Sequence, residues 1–230
     1  MSEHPRTAVL LLAAGSGTRV GAGTNKVLLG LRGTPILGRS LSSVLSLPYV
    51  ERLVVVARRD DVDAVREVVE QALPEDRTAE LVVGGETRHD SEWRGLAPLR
   101  AAIASGEVDV VVVHDVARPL ADAALFDATV EAARQHGGAV PVRPQPGLVT
   151  ADGARHVQGL VGVQTPQAFR AAELLDAYTR AEADGFTGTD TASCFAAYTR
   201  LPVHGVPAPA TNLKVTFPED VALAERLVVD

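Results

Sequence analysis

LLLAAGSGTRVGAGTNKVLL, residues 10–29, joins an apolar run to a glycine-rich turn that leads to Lys26. A buried strand that enters such a turn is typical of the first unit of a parallel α/β sheet. The backbone N–H groups of the turn can form a concave anion site, and Gly15 and Gly17 would let the backbone approach a ligand closely. Because Arg19 and Lys26 add positive charge, the stretch predicts a phosphate-binding loop. The alternative interpretation is a tight strand-to-helix connection with two solvated cations.

The loop matches neither of the two common phosphate-binding motifs. A Walker A loop ends in Gly-Lys-Ser/Thr, whereas Lys26 follows an asparagine and precedes a valine. The dinucleotide fingerprint needs Gly-x-Gly-x-x-Gly, and the glycines of the turn are one residue too far apart. Arg58 and Arg59 could accept a 2′-phosphate, but a short-chain NADP reductase also needs Tyr-x-x-x-Lys. Neither lysine of the chain has a tyrosine four residues before it, so the sequence argues against that class.

Lysine is rare in this chain, which holds two lysines, Lys26 and Lys214, against twenty arginines. Such a bias replaces lysine with arginine at most surface positions. A lysine ammonium, however, is a compact point charge that a planar guanidinium does not reproduce. We therefore expect both remaining lysines to be functionally required.

Beyond the loop, short apolar runs alternate along the chain with segments of helical periodicity. Within each run nearly every residue is apolar, whereas apolar and polar residues would alternate in a strand with one exposed face; continuous runs are typical of strands buried on both faces. This order predicts a single Rossmann-like α/β domain over residues 1–230, with a mostly parallel twisted sheet and helices on both faces. Residues 143–159 interrupt this alternation of strands and helices, and they predict a short β-arm. The predicted strands are 8–13, 53–57, 80–84, 108–115 and 138–142, and the predicted helices are 35–47, 61–73, 91–105, 122–136, 171–183 and 219–229.

Composition narrows the class of protein further. A length of 230 residues suits one large domain. The net charge of −7 argues against binding to nucleic acid or to a membrane surface, both of which favour a basic field. The single cysteine, Cys194, excludes an intrachain disulfide and a cysteine-based zinc site. The first apolar run follows acidic and proline residues and enters a turn, so we expect no signal peptide or membrane span and a cytoplasmic location.

Ligands of parallel sheets bind at the carboxyl ends of the strands, which directs attention to Asp115. A carboxylate at the end of a buried strand is costly unless it is paired or bound to metal. One carboxylate together with substrate phosphates is a usual way to hold Mg²⁺. For the neighbouring His114 we favour a packed, hydrogen-bonded role.

Three further segments combine turn residues with polar groups. GGETRHDS, residues 84–91, follows the third strand, and its paired glycines would let a flat base lie against the backbone. Asp90 or Ser91 could equally be a helix N-cap. QTPQAF (164–169) and TDTAS (189–193) are turns that lead into helices and offer hydroxyl and N–H groups.

Taken in order, the motifs A-A-G-S-G-T-R…K, G-G-x-x-R-x-x-S, H-D-x-A-R-P, Q-T-P-Q-x-F, T-D-x-A-S and N-x-K-V-T-x-P-E-D resemble the methylerythritol-phosphate cytidylyltransferases. These are enzymes of the non-mevalonate isoprenoid pathway, and ribitol-phosphate cytidylyltransferases are close relatives. The resemblance covers about residues 9–227. It implies that a phosphate oxygen of the acceptor attacks the α-phosphorus of CTP, with Mg²⁺ present, and that pyrophosphate leaves. It also implies a homodimer whose arms cross over to complete the partner's site.

The resemblance implies a role for each matching residue. The first loop would wrap the CTP triphosphate, the second turn would form the cytosine and ribose pocket, and Asp115 would hold magnesium and substrate. The residues implied in catalysis are Arg19, Lys26, Asp115 and Lys214. The remaining nucleotide-binding residues are Ala13, Ala14, Gly15, Gly17, Gly84, Gly85, Glu86 and Ser91, and the acceptor-side residues are Arg118, Thr165 and Thr189. To the acceptor side we add Arg155, which does not match a family position but lies near that of the arm arginine.

The departures from the family pattern concentrate on the acceptor side. PQPG, residues 144–147, stands where the family usually carries Asp-Thr-hydrophobic-Lys. The arm is shortened, and Val157 replaces the arm arginine, for which Arg155 or Arg143 could substitute. Thr191 replaces one acid of Thr-Asp-Asp-Ala-Ser. Three hypotheses stay open: a methylerythritol-phosphate enzyme with an altered arm, a cytidylyltransferase for another polyol phosphate, and a nucleotide-binding paralogue that lacks catalysis.

Overall fold

The computed structural model describes residues 6–15, 25–151 and 158–228. Strands and helices follow one another along these ranges. The strands are β1 (Thr7–Leu12), β2 (Gly30–Leu31), β3 (Thr34–Pro35), β4 (Val50–Ala57), β5 (Glu80–Val83), β6 (Val110–Asp115), β7 (Gly138–Pro144), β8 (Val161–Val163), β9 (Gln167–Arg170) and β10 (Val203–Pro207). The α-helices are α1 (Ile36–Leu45), α2 (Val62–Ala72), α3 (Arg88–Leu96), α4 (Arg100–Ala104), α5 (Ala123–His136), α6 (Ala171–Asp184), α7 (Thr191–Tyr198) and α8 (Pro218–Leu227).

One large sheet organises the described residues, with strand order β10–β7–β9–β6–β1–β4–β5 and with β8 paired to β7. Strand β1 runs parallel to both β4 and β6, β4 runs parallel to β5, and β10 runs parallel to β7. Strand β9 lies antiparallel between β6 and β7. The predicted α/β fold with a mostly parallel sheet is confirmed.

The core lies on both faces of this sheet. Along β1, Val9 and Leu11 belong to one buried cluster and Ala8 and Leu10 to another, as expected for side chains that alternate across a strand. The first cluster packs against α1, α2 and α5, and the second against α3, α4, α6 and α7. Because both faces are covered, the central strands are continuous runs of valine and leucine.

The register of the central strands aligns their carboxyl ends. Leu12, the last residue of β1, pairs with Val56 of β4 on one side and with Asp115 of β6 on the other. The segments that leave β1, β5 and β6 therefore emerge at one edge of the sheet, where ligands of such folds bind.

Several details differ from the sequence predictions. Residues 167–170 form strand β9, although the sequence suggested only a turn before a helix. The predicted helix 91–105 begins earlier and is divided, because α3 starts at Arg88 and a 3₁₀ segment, Ala97–Leu99, separates it from α4. Thr87 is the N-cap of α3, a role that the sequence suggested for Asp90 or Ser91.

The base of the predicted arm is a pair of strands. Antiparallel β7 and β8 pair Val142 with Val163 and Pro144 with Val161, and the Gln145 N–H donates to the carbonyl of Leu160 at 3.0 Å. Arg155 and Val157 lie outside the described residues. Within the described ranges no helix has the length and apolar character that crossing a membrane requires.

Candidate active site

A cavity of about 460 Å³ opens where β1, β5 and β6 end. Leu12, Ala14 and Gly15 line one wall, and Gly85 and Ser91 line another. Cations outnumber carboxylates on the lining, so the cavity suits a polyanion such as a polyphosphate. The ionisable side chains on it are Lys26, Arg58, Arg88 and Lys214 as cations, and Glu86 and Asp115 as carboxylates.

Asp115 bridges two of these cations at the end of β6. Its Oδ1 accepts a hydrogen bond from Arg88, and its Oδ2 accepts one from the Lys214 ammonium at 2.6 Å. The carboxylate is only 6% exposed. Burial would raise the pKa of Asp115, but the charges of Arg88 and Lys214 outweigh it and hold the pKa well below its usual range. Asp115 therefore stays ionised at neutral pH.

The backbone beneath Asp115 is fixed by two polar neighbours. The Asp115 N–H donates to the Thr165 hydroxyl at 3.0 Å, and that hydroxyl lies 3.2 Å from Nδ1 of His114. His114 is 1% exposed, and its Nε2 lies 3.3 Å from the carbonyl oxygen of Arg118. Burial lowers the pKa of His114 to about 4, so the ring is neutral at physiological pH. The expectation of a packed, hydrogen-bonded His114 is confirmed.

Lys26 also lines the cavity. Its side chain is buried, and its ammonium donates to the carbonyl of Val215 at 3.1 Å. Asn25 closes the base of the preceding loop, because its amide donates to the carbonyl of Ala13 at 3.3 Å and to Asp61 at 2.8 Å. The two ends of the glycine-rich loop therefore meet. Gly17 and Arg19 lie outside the described residues.

The turn between β5 and α3 needs its two glycines for steric reasons. A Cβ at Gly84 would lie 2.9 Å from the Cβ of Ala14 and 2.8 Å from Oγ of Ser91. A Cβ at Gly85 would lie 2.2 Å from the Cβ of Asp90, which is too close for any side chain. The Gly85 N–H donates to the Ser91 hydroxyl at 3.1 Å. The two glycines therefore allow this turn to pack closely against Ala14 and the start of α3.

Helix α3 contributes two charged residues to which the sequence analysis assigned no role. Arg88 is the arginine of the motif G-G-x-x-R-x-x-S, and Glu92 lies just outside that motif. Arg88 lines the cavity, and its Nε lies 2.9 Å from Oε1 of Glu92, an ion pair without the alignment of a hydrogen bond. Glu92 is 1% exposed. Burial raises its pKa, whereas Arg88 and the hydroxyls of Tyr178 and Thr191 lower it in part. For Glu92, the i, i+4 spacing from Arg88 on a helix was the one available signal in the sequence.

Of the predicted acceptor-side residues that the structure describes, one lines the cavity and three do not. Lys214 lines the cavity. Thr165 is buried against Asp115, and Arg118, 9% exposed, donates to the carbonyl of Asn212 at 2.8 Å. Burial lowers the pKa of the Arg118 guanidinium. Thr189 is exposed, and Arg118, Thr165 and Thr189 are not among the described lining residues.

Comparisons with known proteins agree with one another. The family model described as IspD, 2-C-methyl-D-erythritol 4-phosphate cytidylyltransferase, matches residues 7–230. The chain is 40% identical over 240 residues to the bifunctional enzyme IspD/IspF of Clavibacter michiganensis, covering 99% of this chain and 55% of that protein. It is 36% identical to the 2-C-methyl-D-erythritol 4-phosphate cytidylyltransferase of Acidobacterium capsulatum, covering 95% of each.

The solved structures give the same result at the level of the fold. The crystal structure of the 2-C-methyl-D-erythritol 4-phosphate cytidylyltransferase of Thermus thermophilus superposes with a TM-score of 0.73. The two chains are 31% identical, and the match covers 96% of this chain and 97% of that one.

Proposed function

The chain belongs to the 2-C-methyl-D-erythritol 4-phosphate cytidylyltransferase family, and from this premise we propose that it joins CTP and 2-C-methyl-D-erythritol 4-phosphate, with release of pyrophosphate. The observation that carries the proposal is Asp115 held between Arg88 and Lys214, in the cavity that Lys26 also enters. Such a set of fixed charges suits a reaction between two phosphate groups, because both substrates are anionic.

In the proposed reaction a phosphate oxygen of the acceptor attacks the α-phosphorus of CTP. A new P–O bond forms, the bond to the bridging oxygen of the β-phosphate breaks, and pyrophosphate leaves with that electron pair. The protein needs no covalent step, since positioning and charge stabilisation supply most of the catalysis of phosphoryl transfer. Lys26 and Arg19 would stabilise charge on the α-phosphate and on the departing pyrophosphate.

The remaining residue assignments divide between the two substrates. We assign Ala13, Ala14, Gly15 and Gly17 to the triphosphate, and Gly84, Gly85, Glu86 and Ser91 to cytosine and ribose. The position of Gly85, Glu86 and Ser91 on the cavity lining supports the latter assignment. We assign Lys214, Arg118, Arg155, Thr165 and Thr189 to the acceptor. Lys214 has the strongest support among these, since it lines the cavity beside Asp115.

Magnesium is part of the proposal, with Asp115 as its protein ligand. Among the described residues no group of three acidic, histidine or cysteine side chains could hold a metal ion. The cavity instead fits an ion that takes most of its ligands from phosphate and water and one from a single carboxylate. Each oxygen of Asp115 already accepts from a cation, but a carboxylate offers about four lone-pair sites. When bound, the ion would neutralise charge on the phosphates.

We further propose that the protein acts as a homodimer through the arm. Several large apolar side chains near the arm are between 41% and 48% exposed, and exposed apolar patches often mark protein–protein interfaces. A second copy of the chain would cover them. They are Leu148, Val149, Leu160, Val161 and Val163. Because CTP is a metabolite of the cell interior, we propose a cytoplasmic location.

Pyrophosphate release in the presence of CTP and Mg²⁺ tests the proposed function. The protein is offered 2-C-methyl-D-erythritol 4-phosphate and, in a parallel reaction, ribitol 5-phosphate. We expect turnover with the former and at least tenfold lower kcat/KM with the latter, about 1.4 kcal/mol of discrimination. Preference for ribitol 5-phosphate would replace the acceptor. CTP binding without release from either acceptor would refute the catalytic role.

A further inference from the structure

Glu92 is a buried carboxylate that does not belong to the described cavity lining. Its Oε2 accepts a hydrogen bond from the hydroxyl of Tyr178, and its Oε1 accepts one from the hydroxyl of Thr191 at 2.8 Å. Arg88 completes the set, with Nε 2.9 Å from Oε1. These partners come from α6, α7 and the first turn of α3. The position of the carboxylate is therefore fixed from three directions.

Arg88 is the only one of these partners that also reaches the site. Its NH1 donates to Asp115 while its Nε lies against Glu92, so one guanidinium is held between two buried carboxylates. A free arginine side chain loses rotamer entropy when it is fixed. A planar guanidinium held on two edges is already in place before a ligand arrives, which lowers that cost on binding.

We propose that Glu92 is a positioning residue, which holds Arg88 against Asp115 and so fixes the charges that meet the substrate phosphates. The inference rests on the proposed function and deepens it. Stability alone does not explain a buried glutamate here, because replacing a buried ion pair by apolar residues is often neutral or stabilising. The surrounding side chains would accept such a residue, since Leu96 and Tyr178 belong to the apolar cluster on this face of the sheet.

The residue at position 191 is a second reason to assign a positioning role to Glu92. It stands where the resembled motif carries an acidic residue, and its hydroxyl lies 2.8 Å from Glu92. In this chain the negative charge beside Arg88 therefore comes from α3 instead of α7. An aspartate at position 191 would bring a carboxylate close to the place that Glu92 now occupies, which offers a test by rescue.

The first experiment compares wild type with Glu92→Gln, which keeps the size of the side chain and removes its charge. We expect kcat/KM to fall roughly 10- to 100-fold, mainly in kcat, as small misplacements of a catalytic charge typically do. CTP affinity should change less than threefold. The NMR signal of the Arg88 Nε–Hε group, assigned with Arg88→Lys, should show increased mobility. Glu131→Gln, an exposed glutamate of α5, is the matched control and should behave as wild type.

The second experiment is the double variant Glu92→Gln/Thr191→Asp. We expect it to recover at least a third of wild-type kcat/KM and the ordered Arg88 signal. If Glu92→Gln does not fold, Tyr178→Phe and Thr191→Val replace it in the experiment, because each removes one hydrogen bond to the carboxylate. Each should cause a smaller fall in kcat/KM and a smaller increase in the mobility of the Arg88 signal. Unchanged kcat and an unchanged Arg88 signal in the variants, or a double variant as impaired as Glu92→Gln, would overturn the proposal. If wild type itself transfers no cytidylyl group, the proposed function fails, while the Arg88 signal still decides the role of Glu92.

Discussion

The Lys26 ammonium donates a 3.1 Å hydrogen bond to the backbone carbonyl of Val215, the residue directly after Lys214. The two ends of this bond are 189 residues apart in sequence. The N–H of Val215 donates in turn to the carbonyl of Ala117 at 2.7 Å, two residues beyond Asp115. The loop after β1, the end of β6 and the segment before α8 are thus joined, and both lysines of the chain enter one arrangement of charges.

Replacement of Lys26 should impair catalysis much more than folding. We expect Lys26→Ala to lower kcat/KM by roughly 100-fold or more, as loss of one preorganised donor typically does. Lys26→Arg should recover little, because a planar guanidinium cannot reproduce a buried point charge bonded to Val215. Pyrophosphate release measures both variants. Arg66→Ala, which removes an exposed cation of α2, is the control. Turnover near the wild-type rate in Lys26→Ala would remove this residue from the mechanism.

Replacement of Asp115 should show a characteristic dependence on pH. Because the folded pKa of Asp115 lies below its ordinary value of about 3.9, its ionised form stabilises the fold above that pH, and this contribution is lost as the pH falls through the folded value. We expect Asp115→Asn to lower the free energy of unfolding at pH 7 by about 3 kcal/mol, the lower end for a broken buried pair, since Lys214 is 40% exposed. Urea denaturation at a series of pH values from 7 down to 2 measures it.

The difference between wild type and Asp115→Asn should therefore stay near its full size down to about pH 4 and shrink as the pH falls from there toward 2. A difference that does not shrink between pH 4 and pH 2 would show that the ion pairs do not stabilise the fold. Catalysis gives an independent measurement, because Asp115→Asn leaves Arg88 and Lys214 without their shared carboxylate. We expect at least a 100-fold loss of kcat/KM from this change in preorganised charge.

The oligomeric state should depend on the apolar surface of the arm. Leu160 is 47% exposed, and we expect Leu160→Lys to convert the homodimer into a monomer because it places a charge in the proposed interface. Light scattering coupled to gel filtration measures the mass. Leu223→Lys is the matched control, since Leu223 is 48% exposed on α8, away from the arm. A wild-type protein that is monomeric at micromolar concentration would refute the dimer directly.

The sequence predicted the strands that are buried on both faces, because such strands must be continuously apolar. The run 108–115 is an example, and every residue of β6 is buried. Strand β9 escaped prediction since it is only four residues long and begins with Gln167. The amide of that residue finds partners that the sequence does not reveal, for it donates to Asp190 at 2.9 Å and to the Gln164 carbonyl at 3.3 Å.

The candidate site was predictable where a residue is unusual for its place in the chain. Asp115 ends an apolar strand and Lys26 is one of two lysines, so each was noticeable alone. Arg88 stands in the motif G-G-x-x-R-x-x-S, but the sequence did not distinguish its partner Glu92, because an arginine and a glutamate four residues apart resemble an ordinary surface pair on a helix. What distinguishes Glu92 is burial against Tyr178, which is 86 residues away and is brought there by the packing of α6.

The turn between β5 and α3 should not tolerate a side chain at Gly85. We expect Gly85→Ala to lower the free energy of unfolding by about 1–3 kcal/mol, because its Cβ would lie 2.2 Å from the Cβ of Asp90 and the N-terminus of α3 would have to shift. The same shift would move Ser91, so CTP affinity measured by calorimetry should fall at least tenfold. Gly30→Ala is the matched control, since no atom lies within 4 Å of its added Cβ, and its stability should change by less than about 0.5 kcal/mol. Wild-type CTP affinity in Gly85→Ala would show that this turn does not contact the nucleotide.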